Sequence, residues 1–130
     1  MLVVDASVAL NAALEPRGFD RIADHDLRAP HLMWSEATSV LRHMVWRQII
    51  SDEAGGTALD ALVAAPVRRH QPDDLYREAW SVAGRLGWAR TYDAEYVALA
   101  RLLDCPLLTR DERLSRGAGR LIEVVGPADL

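Results

Sequence analysis

The sequence predicts an α/β domain built around a parallel sheet, and three observations support this. The chain has 130 residues, 50% of them hydrophobic and 26% charged, a composition that suits one buried core. No repeat, low-complexity tract or linker divides it, so we expect residues 1–130 to form a single domain. Short apolar runs alternate with helical patterns, and strands separated by helices pair in parallel because each connection crosses over the sheet.

The first half of the chain is predicted to hold one strand and four helices. Val3 and Val4 belong to a short apolar run that ends at Asp5, and a stretch of helix formers follows. Further on, apolar side chains recur three and four residues apart, which is the spacing of one buried helical stripe. Ser51 is a good N-cap for the next helix, and Pro66 ends it. The predicted elements are a strand at Leu2–Val4 and helices at Ala6–Leu14, Phe19–His25, Leu32–Gln48 and Ser51–Ala65.

The second half is predicted to alternate strands with helices. Pro72 and two aspartates begin a helix, and Gly87 lies just past the end of its apolar stripe. The predicted elements are strands at Val67–His70, Pro106–Leu108 and Leu121–Val125, helices at Pro72–Leu86 and Thr91–Leu103, and one or two helical turns at Asp111–Arg116.

The charged residues exclude several classes of enzyme. There are 19 acidic and 15 basic residues, for a net charge of −4, and every basic residue is an arginine. Without lysine, the chain has no P-loop, no kinase strand lysine and no amine for Schiff-base or pyridoxal chemistry. Phosphotransfer proteins that pair aspartates with a lysine are disfavoured for the same reason. Mild acidity does not exclude a nuclease, because its acids can be gathered in one metal pocket.

The single cysteine and the lengths of the apolar segments indicate where in the cell the protein is expected. Cys105 cannot form an internal disulfide, which fits a reducing cytoplasm. Only four residues precede Asp5, so we expect no signal peptide. No apolar run approaches the roughly 20 residues of a membrane span. These features predict a cytoplasmic protein without a membrane segment.

Four acidic residues occupy positions that suggest chemistry. Asp5 and Asp111 each follow a predicted strand, and ligands of open parallel sheets bind beyond the carboxyl ends of the strands. Glu36 lies at the edge of the apolar stripe of its helix, where burial is costly unless something positive pairs with it. Asp93 lies at the positive end of its helix.

Helix capping is the alternative explanation for three of these acids. Asp5 and Asp93 could each be the N-cap of the helix that follows, and Thr109 with Glu112 resembles a capping box. Glu36 lies inside its helix and cannot be explained in this way. If four carboxylates met without a cation, their repulsion would raise their pKa values and cost stability, and a divalent metal would remove that penalty.

Four segments of the chain resemble the signature blocks of PIN-domain ribonucleases, and most closely those of the VapC toxins of bacterial toxin–antitoxin pairs. They are VVDAS at residues 3–7, WSEA at 34–37, YDAEYVALA at 92–100 and PLLTRDERL at 106–114. They occur in family order across essentially the whole chain. The resemblance implies a three-layer α/β/α domain with an acidic pocket, and the pocket residues would be Asp5, Glu36, Asp93 and Asp111, with Ser7 and Thr109 as nearby hydroxyls.

The residue types in this pocket suggest metal-dependent hydrolysis of RNA. Oxygen ligands without histidine or cysteine suit Mg²⁺ or Mn²⁺ rather than Zn²⁺. We expect the aspartates to hold one or two ions, and a metal-activated water to attack the phosphodiester and leave a 3′-hydroxyl and a 5′-phosphate. Glu36 would be a ligand or would orient that water, while Ser7 and Thr109 would hydrogen-bond the carboxylates. Candidates for binding RNA phosphates are Arg110, Arg113 and Arg116.

The resemblance also implies partners. VapC-like toxins are held inactive by a small cognate antitoxin of the VapB type, and they tend to form homodimers. The predicted helix pairs Ala6–Leu14 with Phe19–His25, and Leu32–Gln48 with Ser51–Ala65, could supply an apolar groove for the antitoxin. Two other interpretations stay open at this point: a housekeeping PIN nuclease that processes structured RNA, and a non-catalytic module that binds a cation or a partner.

Overall fold

Five short parallel strands form the centre of the protein, as described by a computed structural model of all 130 residues. The strands are β1 Leu2–Val4, β2 Leu27–Ala29, β3 Arg68–Arg69, β4 Leu107–Leu108 and β5 Val124–Val125. Their order in the sheet is β3-β2-β1-β4-β5. Every neighbouring pair is parallel, and Val3 of the central strand lies opposite Arg28 on one side and Leu107 on the other. The predicted parallel sheet is confirmed.

Six helices flank the sheet, as expected for a three-layer α/β/α domain. They are α1 Ala6–Leu14, α2 Leu32–Trp46, α3 Asp52–Val63, α4 Leu75–Leu86, α5 Tyr92–Leu103 and α6 Glu112–Ala118, with 3₁₀ turns at Gly18–Arg21 and Pro127–Asp129. Helices α1, α2 and α3 pack on one another, while α4 packs on α5. Helix α5 also contacts β1 and β4, so it lies directly against the middle of the sheet. None of the helices has the length and hydropathy needed to span a membrane.

Two elements, strand β1 and helix α5, form the middle of the hydrophobic core. All three residues of β1 are buried, because the strand has neighbours on both sides and helices above and below. Helix α5 is buried at seven consecutive positions, 94–100, rather than along one stripe. A helix that is apolar all round belongs in the interior. Both elements bring their polar ends, Asp5 and Asp93, to one region of the molecule.

The structure corrects the prediction between the first two long helices. It contains the strand β2, which the sequence does not predict, because its three residues are too few to establish the alternating pattern of a strand. The predicted helix Phe19–His25 is instead a 3₁₀ turn at Gly18–Arg21. Arg17 before it has a φ of 52°, in the left-handed region, and the residues at 24–26 that follow favour turns over helix. The long helix also ends at Trp46, two residues earlier than predicted, because Gln48 has a φ of 59°.

Candidate active site

The four acidic residues singled out from the sequence line one cavity of about 250 Å³. It opens where β1 and β4 end, the edge of the sheet at which ligands of parallel sheets bind. The polar side chains around it are Asp5, Ser7, Glu36, Asp93, Tyr96 and Asp111. Segments that are distant in sequence are thus brought together at one point.

Asp5 is the most buried of these acids, with 3% of its surface exposed. Its Oδ1 accepts hydrogen bonds from the Ser7 hydroxyl at 2.6 Å and from the backbone N–H of Val8 at 3.1 Å. Its Oδ2 accepts a hydrogen bond from the Thr109 hydroxyl at 2.5 Å. Asp5 therefore caps α1, and the same carboxylate is held rigidly at the floor of the cavity. Capping and a place in the cavity coexist here.

Ser7 and Thr109 tie the ends of β1 and β4 together. Thr109 accepts a hydrogen bond from the backbone N–H of Asp111 at 3.0 Å, and Ser7 accepts one from that of Arg110 at 3.1 Å. Both hydroxyls thus bind the carboxylate of Asp5 and, at the same time, the backbone beyond β4. The chain from 109 to 111 cannot shift without breaking contacts to Asp5.

The expected capping box at Thr109 is wrong. Asp111 is the N-cap of α6, and its Oδ1 accepts hydrogen bonds from the N–H groups of Arg113 at 2.9 Å and Leu114 at 3.1 Å. The hydroxyl of Thr109 is already committed to Asp5. The expected N-cap role of Asp93 is also wrong, because Thr91 occupies that position and Asp93 lies in the first turn of α5.

Glu36 has a partner that the sequence does not suggest. It lies on α2, half-buried, and its Oε1 accepts a hydrogen bond from the hydroxyl of Tyr96. The sequence predicts a positive group at this point, and the partner is a neutral phenol. The only signal for Tyr96 in the sequence is its position three residues after Asp93, on the same face of the helix.

The electrostatics show that the carboxylates influence one another. Burial raises the pKa of Asp5, and the charge of Asp111 raises it further, while the hydrogen bonds from Ser7 and Thr109 act in the opposite direction. Burial likewise raises the pKa of Glu36, with Asp93 and Asp5 adding to the effect. The structure therefore concentrates negative charge in a partly dry space.

Asp93 is the acid with the fewest attachments in this cavity. Burial raises its pKa, the charge of Asp111 adds to this, and Arg113 lowers it. No hydroxyl or backbone group donates to its carboxylate, in contrast to the bonds that hold Asp5, Glu36 and Asp111. Its oxygens are therefore free for a ligand.

The atoms that line the cavity decide which metal ions it can bind. It contains carboxylate and hydroxyl oxygens and no histidine or cysteine. No three acidic, histidine or cysteine side chains lie close enough together to form a ready-made ion site.

Another acid near the site was not singled out from the sequence. Glu95 is only 9% exposed, and burial followed by the charge of Glu36 raises its pKa. It lies within the apolar run of α5, and no spacing in the sequence distinguishes it from its neighbours.

The three arginines expected near the pocket lie in two places. Arg113 lines a groove that includes Glu36 and Asp93. Arg110 and Arg116 line a different cleft, between the start of α6 and the C-terminal 3₁₀ turn. The arginines do not form one patch.

The chain resembles proteins of known family in sequence. The model of the PIN domain family matches residues 2–120. Ribonuclease VapC9 of Mycobacterium tuberculosis is 40% identical over 116 residues, which cover 88% of this chain and 89% of that protein. Ribonuclease VapC1 of the same species is 38% identical over 130 residues, covering 94% of each chain.

Solved structures share the fold at lower identity. The crystal structure of PAE2754 from Pyrobaculum aerophilum superposes with a TM-score of 0.78 at 24% identity, covering 98% of this chain and 91% of that one. The crystal structure of FitAcB from Neisseria gonorrhoeae gives a TM-score of 0.61 at 16% identity, with full coverage of both chains. These two likenesses concern the fold alone.

Proposed function

The chain belongs to the PIN-domain family, and we propose that its acidic cavity is the active site of a VapC-type endoribonuclease, the toxin of a toxin–antitoxin system. The relatives named above are ribonucleases and cover nearly the whole chain. One observation supports the location of the site: Asp5, Glu36, Asp93 and Asp111 line a single cavity at the carboxyl edge of the sheet. We expect the reaction to take place at that edge.

The cavity suits a divalent cation of the Mg²⁺ or Mn²⁺ type. Its donors are oxygens, which these hard ions prefer, and the mutual repulsion of the carboxylates is relieved by positive charge. No ready-made cage of three such side chains is present. Mg²⁺ usually keeps several waters and uses only one or two carboxylates, so a hydrated ion does not need such a cage.

Asp5, Asp93 and Asp111 would hold the ion, directly or through water. When bound, such an ion lowers the pKa of water and offsets negative charge on the phosphate and the leaving oxygen. Ser7 and Thr109 keep Asp5 in position by donating to both of its oxygens, and these bonds favour its charged form against the effect of burial on its pKa.

Glu36 would bind the ion as a further ligand or would orient the attacking water. Its Oε1 is committed to Tyr96, so Oε2 is the oxygen that remains for an ion or a water. An attack by water does not need the 2′-hydroxyl of the substrate. The products would then carry a 3′-hydroxyl and a 5′-phosphate.

The partners follow from the same proposal. RNA is the substrate, a VapB-like antitoxin restrains the enzyme, and the protein forms a homodimer. Helices α2 and α3 and the turn between them expose apolar side chains that could receive the antitoxin, and Trp46 and Val63 line one cleft between these helices. The exposed side chains are Val40, Trp46, Ile49, Leu59 and Val63.

The first experiment is cleavage of a panel of structured RNAs by protein freed of any copurified partner. The wild type and Asp93→Asn are compared with and without a chelator. Asp73→Asn is the matched control, because Asp73 is an exposed acid outside the cavity. We expect cleavage by the wild type and the control only, and only without chelator. Binding of Mg²⁺ without any cleavage would instead support a non-catalytic module.

A further inference from the structure

A second groove, of about 480 Å³, opens directly beside the acidic cavity. The two share Glu36 and Asp93 as a common wall. The groove lies between the α4–α5 connection and the start of α6, and its volume is within the range of about 300–1,000 Å³ that is typical of small-ligand sites. An RNA strand bound at the four acids is longer than the cavity and must extend beyond it. The neighbouring groove offers space for the next part of that strand.

An exposed aromatic ring lines this groove. Tyr92 is 56% exposed at the first position of α5, whereas Tyr96, one turn later, is 1% exposed. Tyr92 is not part of the hydrophobic core, and its exposed ring is available to a ligand. Exposed aromatic rings beside a backbone-binding groove are the platforms on which the bases of single-stranded nucleic acids stack.

The wall of the groove is firmly built. Trp88 is half-buried and packs against α6 at Gly117, where even an added Cβ would lie 2.6 Å from the indole ring. Gly87 ends α4 with a φ of 71°, which turns the chain so that the N–H of Trp88 bonds back to the carbonyl of Ala83 at 2.8 Å. This side of the groove is thus held in place by packing on α6 and by the end of α4.

Two arginines give the groove positive charge. Arg90 and Arg113 both line it, both are exposed, and neither takes part in any of the four ion pairs of the protein. Arg113 lines this groove together with Asp93 and Glu36, the two acids that also line the acidic cavity. One guanidinium group can donate two hydrogen bonds to the oxygens of one phosphate. Arginine has to supply this contact here, because the chain contains no lysine.

We propose that this groove holds the nucleotide next to the scissile bond, with its base stacked on Tyr92 and its phosphate bound by Arg90 and Arg113. The inference rests on the proposed nuclease function. Charge complementarity favours RNA as the occupant, because the arginines attract the backbone while the ring accepts a base. Since every base has a face that can stack, the groove adds affinity with little preference for sequence.

The test is binding of a short, labelled single-stranded RNA in chelator, so that nothing is cut, with cleavage of the same RNA in Mg²⁺ measured in parallel. Tyr92→Ala should weaken binding at least about fivefold, and Tyr92→Phe should restore it. Arg90→Ala and Arg113→Ala should each lower the slope of log affinity against log salt by about 0.7. The matched controls are Tyr76→Ala and Arg77→Ala, exposed on α4 away from the groove.

A second arm identifies the stacked base. An RNA that lacks one base beside the cleavage point should bind the wild type more weakly than the intact RNA does. Tyr92→Ala should bind both RNAs equally, because the contact has already been lost.

The outcomes separate this inference from the nuclease itself. If the wild type cleaves RNA while the groove variants bind like the controls, the groove is not an RNA subsite and the nuclease function stands. An acidic peptide as the natural occupant would give that same result. If the wild type neither binds nor cleaves any RNA, both proposals fail together.

Discussion

The hydroxyl of Tyr96 donates a hydrogen bond of 2.5 Å to Oε1 of Glu36. Tyr96 is 1% exposed, and burial, the hydrogen bond to Glu36 and the charges of Glu36 and Asp5 raise the pKa of its phenol. The phenol therefore stays neutral and acts only as a donor toward this carboxylate. It orients the side chain of Glu36 without neutralising its charge, and Oε2 is left without a hydrogen bond from the protein.

Tyr96→Phe removes this hydroxyl and keeps the ring in the core. We expect the turnover rate to fall about 10–100-fold, the usual cost of losing a partner that orients a metal ligand, while the KM for RNA changes little. Steady-state cleavage kinetics measure both. Tyr76→Phe, which alters an exposed tyrosine on α4, is the control and should match the wild type. An equal loss of RNA affinity and turnover would point to a general disturbance instead.

Thr109→Val tests the link between the two strand ends. The hydroxyl of Thr109 donates to Asp5 and accepts from the N–H of Asp111, so its loss leaves both groups short of a partner in a buried place. We expect about 1–3 kcal/mol less stability in urea unfolding, along with reduced cleavage. Thr57→Val in α3, where the threonine is exposed, is the matched control. Full stability of Thr109→Val would contradict the link.

Much of the fold follows from local patterns in the sequence, and the parts that do not are instructive. Leu2–Val4, the helix after it and the polar residue between them are predicted because strand, cap and helix signals agree. The strand β2 is not predicted, because its three residues are too few to set a pattern and it is held by pairing with the strands on either side. Tertiary pairing decides such short elements.

In the candidate site, too, local features are predicted from the sequence and long-range contacts are not. The positions of Asp5 and Asp111 directly after strands are local features of the sequence, and they are enough to predict a shared edge of the sheet. The bond from Tyr96 to Glu36 joins residues 60 positions apart on two helices, and no local pattern encodes it. The role of Thr109 also depends on its contact with Asp5 across the sheet, so a capping motif alone predicts it wrongly.

The stability of the metal-free protein should fall as the pH rises above about 4, the ordinary pKa of a carboxyl group. The pKa values of Asp5, Glu36 and Asp93 are raised in the folded state. Between the unfolded-state and the folded-state pKa values of these acids, the folded protein therefore binds more protons than the unfolded protein. Stability therefore decreases with pH across that interval, and the loss is complete above the folded pKa values. Thermal unfolding at a series of pH values in chelator measures this.

Thermal unfolding of the wild type and of Asp93→Asn, with and without Mg²⁺, tests whether Asp93 binds the ion. Mg²⁺ should raise the unfolding temperature of the wild type near neutral pH, and it should raise that of Asp93→Asn less. In chelator, Asp93→Asn should unfold at a higher temperature than the wild type, because one repelling charge is gone. An equal response of the two proteins to Mg²⁺ would count against Asp93 as a ligand.

The ends of the cleaved RNA report which group attacks the phosphate. If water attacks, mass spectrometry of the fragments should find a 3′-hydroxyl on one and a 5′-phosphate on the other. A substrate with a single 2′-deoxy nucleotide at the cleavage point should be cut to the same products. A 2′,3′-cyclic phosphate would show that the neighbouring hydroxyl attacks, and would contradict the proposed role of Glu36.

The most direct test of the central claim is the rate of Mg²⁺-dependent RNA cleavage by four single variants: Asp5→Asn, Glu36→Gln, Asp93→Asn and Asp111→Asn. Each change keeps the size of the side chain and removes a charge from the cavity. We predict a loss of at least about a hundredfold for each, since ligands of a catalytic ion contribute several kcal/mol, while Asp73→Asn keeps the wild-type rate. Cleavage by all four variants at the rate of that control would contradict the account.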